Sequence, residues 1–145
     1  MADGDGRRRY DEVAVGERIE AREFAVDRAQ LVRYAGASLD FNPIHWSDAA
    51  AERAGLPDVI AHGMLTMAIA GRLVTDWAGD PGSVRDYSVR FSGIVPVPAE
   101  GTTTVRASGV IAEKLADGRV VVELLVESGE RQVLKRARAV VDLIF

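Results

Sequence analysis

HGMLTMAIAGRLVTDW, His62–Trp77, is one long, nearly all-apolar run, and its length and spacing make it a helix. Met64, Leu65, Met67, Ala68, Ile69, Leu73, Val74 and Trp77 cover most of a helical circumference, so burial on several sides is expected. Gly79-Asp80-Pro81-Gly82 stops the helix. Beyond it the period changes to two: Tyr87, Val89 and Phe91 alternate with Ser88, Arg90 and Ser92. Pro96 and Pro98 interrupt that pattern. Thr102–Lys114 reads as the next strand, and Asp117-Gly118 is a hairpin signal. Val120, Val122, Leu124 and Val126 then share one face of Arg119–Glu127, and Ser128-Gly129 turns into a last strand, Gln132–Leu143. An antiparallel meander of this kind buries one face, and only the long helix is available to cover it. The fold class expected is α+β, a sheet wrapped around a central helix.

Upstream, a strand is expected near Ile19–Phe24, with Gly16 as the turn before it. Asp27 has the chemistry of an N-cap for a short helix that ends near Gly36. Ser38–Ile44 is a loop, because Asn-Pro is turn chemistry and Pro43 biases Asn42 away from helix. Ser47-Asp48 opens a second short helix, Ala49–Ala54, closed by Gly55. This loop places Asp40, Asn42 and His45 together, shortly before a helix that opens on His62 and Gly63. An acid, an imidazole and exposed backbone N–H groups then share one crevice.

Composition excludes several functions. The chain has 145 residues, 48% of them hydrophobic and 28% charged, as in an ordinary globular domain. Residues 1–9 are expected to form a flexible N-terminal tail and residues 10–145 a single domain. A net charge of −4 argues against nucleic acid, and Arg7-Arg8-Arg9 sits among aspartates in the tail, where a solvated terminus is the simpler explanation. No cysteine is present, which removes disulfides, thiolate nucleophiles and Cys-ligated zinc. The longest apolar run is interrupted by Arg72 and Asp76, so no membrane span is expected and a cytoplasmic protein is.

The D-x-N-P-x-H stretch Asp40–His45, followed by His62-Gly63-Met64, resembles the MaoC-like (R)-specific hydratases and dehydratases of the hot-dog fold. The flanks YAGASLDFNPIHW, GLPDVIAHGMLTMA, VTDWAGDPG, YSVRF and VPVP are similar to the HadB-type β subunit of (3R)-hydroxyacyl-acyl-carrier-protein dehydratase, from about Tyr10 onward. The resemblance implies a long helix inside a curled antiparallel sheet, paired edge to edge with a second such unit. It also implies that Asp40 and His45 form a catalytic dyad and that the Gly63 N–H serves as an oxyanion donor. Histidine titrates near neutrality, and a backbone N–H at a helix start suits the negative charge that a thioester oxygen gains. Asn42 is read as a polar brace for the loop and Asp40, and His62 as a structural histidine that positions the loop. Taken singly, each residue has a plainer explanation in turn chemistry, core packing or a permissive helix start. Their combination at this spacing favours chemistry.

A metal site built from Asp40, His45 and His62 matches no usual zinc spacing, and hydration of this kind calls for neither metal nor cofactor. Arg90 and Lys135, on strands, have the charge to meet a phosphopantetheine or carrier-protein phosphate, but they read as residues of a solvated sheet face and stand outside the site. Met64, Met67 and Trp77 are expected in the core. The function implied is reversible dehydration of (3R)-hydroxyacyl thioesters to trans-2-enoyl thioesters in fatty-acid elongation. The substrate would be an acyl-carrier-protein or acyl-CoA thioester, and the partner a HadA-like hot-dog subunit. Two alternatives stand beside it: a homodimeric (R)-specific enoyl-CoA hydratase, and a non-catalytic acyl-binding partner subunit. The intact Asp40/His45 pair counts against the last, and the D-x-N-P-x-H loop counts against a hot-dog thioesterase.

Overall fold

The protein, seen here in a computed structural model that describes residues 6–145, follows the expected order of elements. They are β1 (Arg18–Val26), α1 (Arg28–Ser38), a 3-10 turn (Pro43–His45), α2 (Asp48–Arg53), α3 (Gly63–Ala78), β2 (Val84–Phe91), β3 (Thr103–Lys114), β4 (Arg119–Ser128) and β5 (Arg131–Asp142). Asp27 caps α1 by accepting a hydrogen bond from the Gln30 N–H, and Ser47 caps α2 through the Ala50 N–H. The strands make one antiparallel sheet in the order β1-β3-β4-β5-β2, which leaves β1 and β2 as the edges. Each of the two hairpins has a positive-φ glycine at its turn, Gly118 at 86° and Gly129 at 61°.

Helix α3 lies against all five strands. Leu65, Ile69 and Leu73 and the parallel row Thr66, Ala70 and Val74 are buried, and they meet Val105, Ala107, Val122, Val126, Ala139 and Val141 from the sheet. This is the hot-dog architecture, a curled sheet around a central helix. Burial is narrower than the sequence implied. Met64 is 57% exposed, Ala68 and Arg72 are also exposed, and Met67 and Trp77 are only half-buried. A five-stranded sheet curls around part of a helix, so one stripe of α3 stays open along its whole length.

Of the expected tail, residues 1–5 lie outside the described residues. Residues 6–9 cross the far end of α3. Arg8 N–H donates to the Ala78 carbonyl, Ile144 N–H donates to the Arg8 carbonyl, and the Arg7 guanidinium meets Asp80 at 2.6 Å. Gly79 permits this crossing, because its φ is 74° and a Cβ there would lie 2.2 Å from the Gly6 carbonyl oxygen. Among the described residues, no helix is long and apolar enough to cross a membrane.

Leu73 is 2% exposed at the centre of the helix–sheet contact. Leu73→Ala is expected to cost about 2–5 kcal/mol, read as a lower denaturant midpoint with an unchanged slope.

Candidate active site

The loop between α1 and α2 is built by short-range side-chain bonds. Leu39 ends α1 in a left-handed conformation, φ 62°, and turns the chain outward at Asp40. Asp40 N–H donates to Ser38 Oγ at 3.2 Å, and Asn42 N–H donates to Asp40 Oδ1 at 3.1 Å. Asn42 Oδ1 in turn accepts from Ile44 N–H at 3.2 Å and opens the 3-10 turn. Asn42 therefore braces Asp40 with its backbone and the turn with its side chain.

His45 is buried, with its Nδ1 2.7 Å from the Ile60 carbonyl oxygen. A carbonyl can only accept, so Nδ1 carries the proton and Nε2 keeps its lone pair. Nε2 faces Asp40 Oδ2 at 3.9 Å. That separation is too long for a direct hydrogen bond, yet one oxygen atom can sit at hydrogen-bond distance from both groups. Ile60 is itself clamped. Its N–H donates to the Ile44 carbonyl at 3.1 Å, while Val97 N–H donates to the Val59 carbonyl and Ala61 N–H to the Val95 carbonyl, both at 2.9 Å. Pro96 and Pro98 have no N–H, so Val97 supplies the donor in this segment. Arg28 locks the clamp from behind, donating to the Val97 carbonyl at 2.7 Å and pairing with Asp48 at 3.0 Å and Asp58 at 3.1 Å. Nothing in the sequence marked Arg28, because its partners are 20, 30 and 69 residues away.

His62 ties this loop to α3. Its ring stacks on that of His45, with centroids 3.8 Å apart and planes inclined by 22°, and it meets Tyr34 edge-on at 4.8 Å. Nε2–H donates to the Asp40 carbonyl at 3.1 Å, which leaves Nδ1 bare and buried with no partner among the described residues. Burial pulls the His62 pKa below its ordinary value; the Asp40 carbonyl opposes this and the neighbouring His45 adds to it. Asp40, His45 and His62 offer ligand atoms within 4.8 Å of one another. A metal must lie in the plane of each imidazole that binds it, and two stacked, nearly parallel rings cannot share such a point at bonding distance.

Gly63 begins α3, with no side chain capping the helix start. The Phe91 ring occupies the place of a side chain there: a Cβ on Gly63 would lie 3.0 Å from it. The Gly63 N–H is one residue from the ring that touches both His45 and the Asp40 carbonyl, at the positive end of the helix dipole. Asp40, His45 and Gly63 are thereby brought to one place, with Asn42 behind them. Leu39, Phe41, Trp46, Met64 and Phe91, all at least half exposed, surround it with apolar surface. In the single chain this apolar surface lies open to solvent.

This geometry can be set beside known proteins. The family model described as MaoC like domain matches residues 11–129. The chain belongs to the MaoC-like family. The 3-hydroxyacyl-thioester dehydratase X of Mycobacterium tuberculosis is 48% identical over 71 residues, which cover 49% of this chain and 24% of that protein. The (R)-specific enoyl-CoA hydratase of Rhodospirillum rubrum is 28% identical over 123 residues, 78% of this chain and 82% of that one. A solved MaoC-like dehydratase superposes with a TM-score of 0.91 at 35% identity, covering 95% of this chain and 43% of its own. The chain spans between a twentieth and about a quarter of the length of the first curated relatives it matches.

The lowered His62 pKa has a sign that can be measured. The unfolded chain takes up a proton on His62 near 6.5, whereas the folded protein takes it up only at lower pH. Stability contributed by this residue is therefore complete above about pH 6.5 and falls as pH drops toward the folded value. In chemical denaturation at stepped pH, His62→Phe is expected to flatten the acid-side slope, although its stability at neutral pH is lower for want of the bond to Asp40.

Proposed function

We propose that this protein interconverts (3R)-hydroxyacyl and trans-2-enoyl thioesters by removing or adding water, with Asp40 and His45 as the reacting pair and Gly63 as the oxyanion donor. The observation that carries this is the 3.9 Å gap between Asp40 Oδ2 and His45 Nε2, with the opposite nitrogen of the imidazole fixed by a carbonyl. One water oxygen in that gap donates one O–H to each group. As the oxygen attacks the β-carbon, one of the pair takes its proton. Electron density moves to the thioester oxygen, which the Gly63 N–H and the start of α3 stabilise, and the α-carbon gains a proton from the pair as the density returns. One water adds across one double bond, and the reverse sequence releases it. His62 and Asn42 hold the pair and do not react.

The names of the relatives support this reading: one is a 3-hydroxyacyl-thioester dehydratase and another an (R)-specific enoyl-CoA hydratase. The open apolar surface around the site supports a second hot-dog subunit. Strand β2 is an open edge, and beside it Ala68, Gly71, Val84 and Tyr87 line an apolar groove along the uncovered stripe of α3. A HadA-like partner subunit in fatty-acid elongation fits this surface, as does a second copy of the chain. A purely acyl-binding subunit is disfavoured, since it has no use for a tautomer-fixed imidazole facing a carboxylate.

With trans-2-enoyl thioesters, alone and mixed with a candidate partner subunit, Asp40→Asn and His45→Ala are each expected to lower kcat by about a hundredfold or more while circular dichroism and melting stay close to wild type. Full activity in either variant contradicts the assignment. Gly63→Ala is expected to lower kcat as well, because the added methyl must displace Phe91 and thereby shift the helix start.

A further inference from the structure

Glycine is a poor residue inside a helix, yet α3 carries one at its middle, Gly71. Gly71 has ordinary helical backbone, so space rather than conformation requires it. A Cβ there would lie 3.1 Å from Cε1 of Tyr87. Tyr87 comes from β2, and the missing side chain lets its ring reach the helix backbone. Its hydroxyl donates to the Met67 carbonyl at 2.6 Å. That carbonyl already accepts the Gly71 N–H within the helix, so the hydroxyl adds a second bond to it. Burial pushes the Tyr87 phenol up to about 12, and the hydroxyl therefore keeps its proton at neutral pH. The reacting pair makes no direct use of this bond.

Followed through the peptide groups of α3, the bond leads to the mouth. The Met67 carbonyl and the Ala68 N–H belong to one peptide group, and the helix gives that N–H to the Met64 carbonyl. The Met64 carbonyl shares its peptide with the Leu65 N–H, which donates to the His62 carbonyl at 3.0 Å. The His62 carbonyl shares its peptide with the Gly63 N–H, the donor assigned to the thioester oxygen. Three peptide groups thus stand in line between Tyr87 and the mouth, each donating toward it. A peptide that accepts a hydrogen bond at its oxygen becomes a stronger donor at its nitrogen, and such bonds in a chain polarise one another. Resting on the thioester reading above, we propose that Tyr87 is a positioning residue for the oxyanion donor. Acting through α3, its hydroxyl heads a relay that strengthens the Gly63 N–H toward the thioester oxygen. The ring seated at Gly71 sets the height of the hydroxyl on the helix. Charge on that oxygen develops in the transition state, so the relay acts on kcat rather than on KM.

The test compares wild type, Tyr87→Phe and the protein carrying a monofluorinated tyrosine at position 87, alone and with a candidate partner subunit. Tyr87→Phe keeps the ring at Gly71 and removes only the hydroxyl. The fluorinated phenol is more acidic and a stronger donor of nearly the same size. With a trans-2-enoyl thioester, Tyr87→Phe is expected to lower kcat about two- to eightfold, from a cooperative gain of roughly 10–30% on one oxyanion donor, with KM close to wild type. A second readout is the infrared carbonyl stretch of a bound saturated acyl thioester, isotope-labelled at its carbonyl. Its downward shift on binding is expected to be largest with the fluorinated tyrosine, smaller in wild type and smallest in Tyr87→Phe. Equal shifts in the three proteins, or a loss confined to KM or to melting temperature, overturn the relay. If wild type turns over no enoyl thioester, the hydratase reading fails separately, and amide NMR of the free protein decides the relay. Upfield movement of the Ala68, Leu65 and Gly63 N–H signals together in Tyr87→Phe, with Met67 and Ile69 unmoved, supports it. An unmoved Gly63 signal overturns it.

Discussion

The structure depends on one constraint: a curled antiparallel sheet has a single inner face, and α3 is the element that fills it. Leu65, Ile69 and Leu73 on one row and Thr66, Ala70 and Val74 on the next bind the helix to the strands. With its axis fixed in this way, the helix starts where the sheet opens, and His62 and Gly63 are carried to the mouth. Core packing thereby helps to place the site. Burial of an apolar stripe stabilises the fold and also aims a helix dipole and a free backbone N–H at one point.

Around that point the polar contacts form a closed circuit. Val95 and Val97 hold Val59 and Ala61, which leaves the Ile60 carbonyl to accept a hydrogen bond from His45 Nδ1–H, and Ile60 N–H returns to the Ile44 carbonyl beside it. His62 links the circuit to α3 through the Asp40 carbonyl and its stack on His45. The two histidines are used oppositely. His45 shows a bare Nε2 to Asp40, whereas His62 hides a bare Nδ1 in the interior. A buried unpaired nitrogen is a cost, and it makes His62 a poor place for a proton.

Much of this was legible in the sequence wherever the signal was local. Asp27 and Ser47 as caps, Asp117-Gly118 as a hairpin and the alternation of β4 are decided within a few residues of each position. The D-x-N-P-x-H spacing likewise made Asp40, Asn42 and His45 neighbours. What was not legible depends on distant pairing. The register of β5 against both β2 and β4 decides where Arg136 bulges. Arg28 reaches Val97 and Asp58 only after folding, and Gly79 accepts residues 6–9 only once α3 and β5 are in place. Met64 looked like core because periodicity records a helix's apolar surface without saying how far one sheet reaches around it. Spacing argues against a metal site, and the stacking of the two imidazoles gives a stronger reason, which spacing cannot show.

The central claim is that the fold fixes the two imidazoles in opposite tautomers, so that only His45 presents a lone pair to Asp40. Nitrogen NMR on the histidine-labelled protein at about pH 8 tests it directly, since the chain contains only two histidines. The account predicts one ring protonated at Nδ1, whose signals vanish in His45→Ala, and one protonated at Nε2, whose signals vanish in His62→Phe. Two rings of the same tautomer, or a His45 protonated at Nε2, would contradict it.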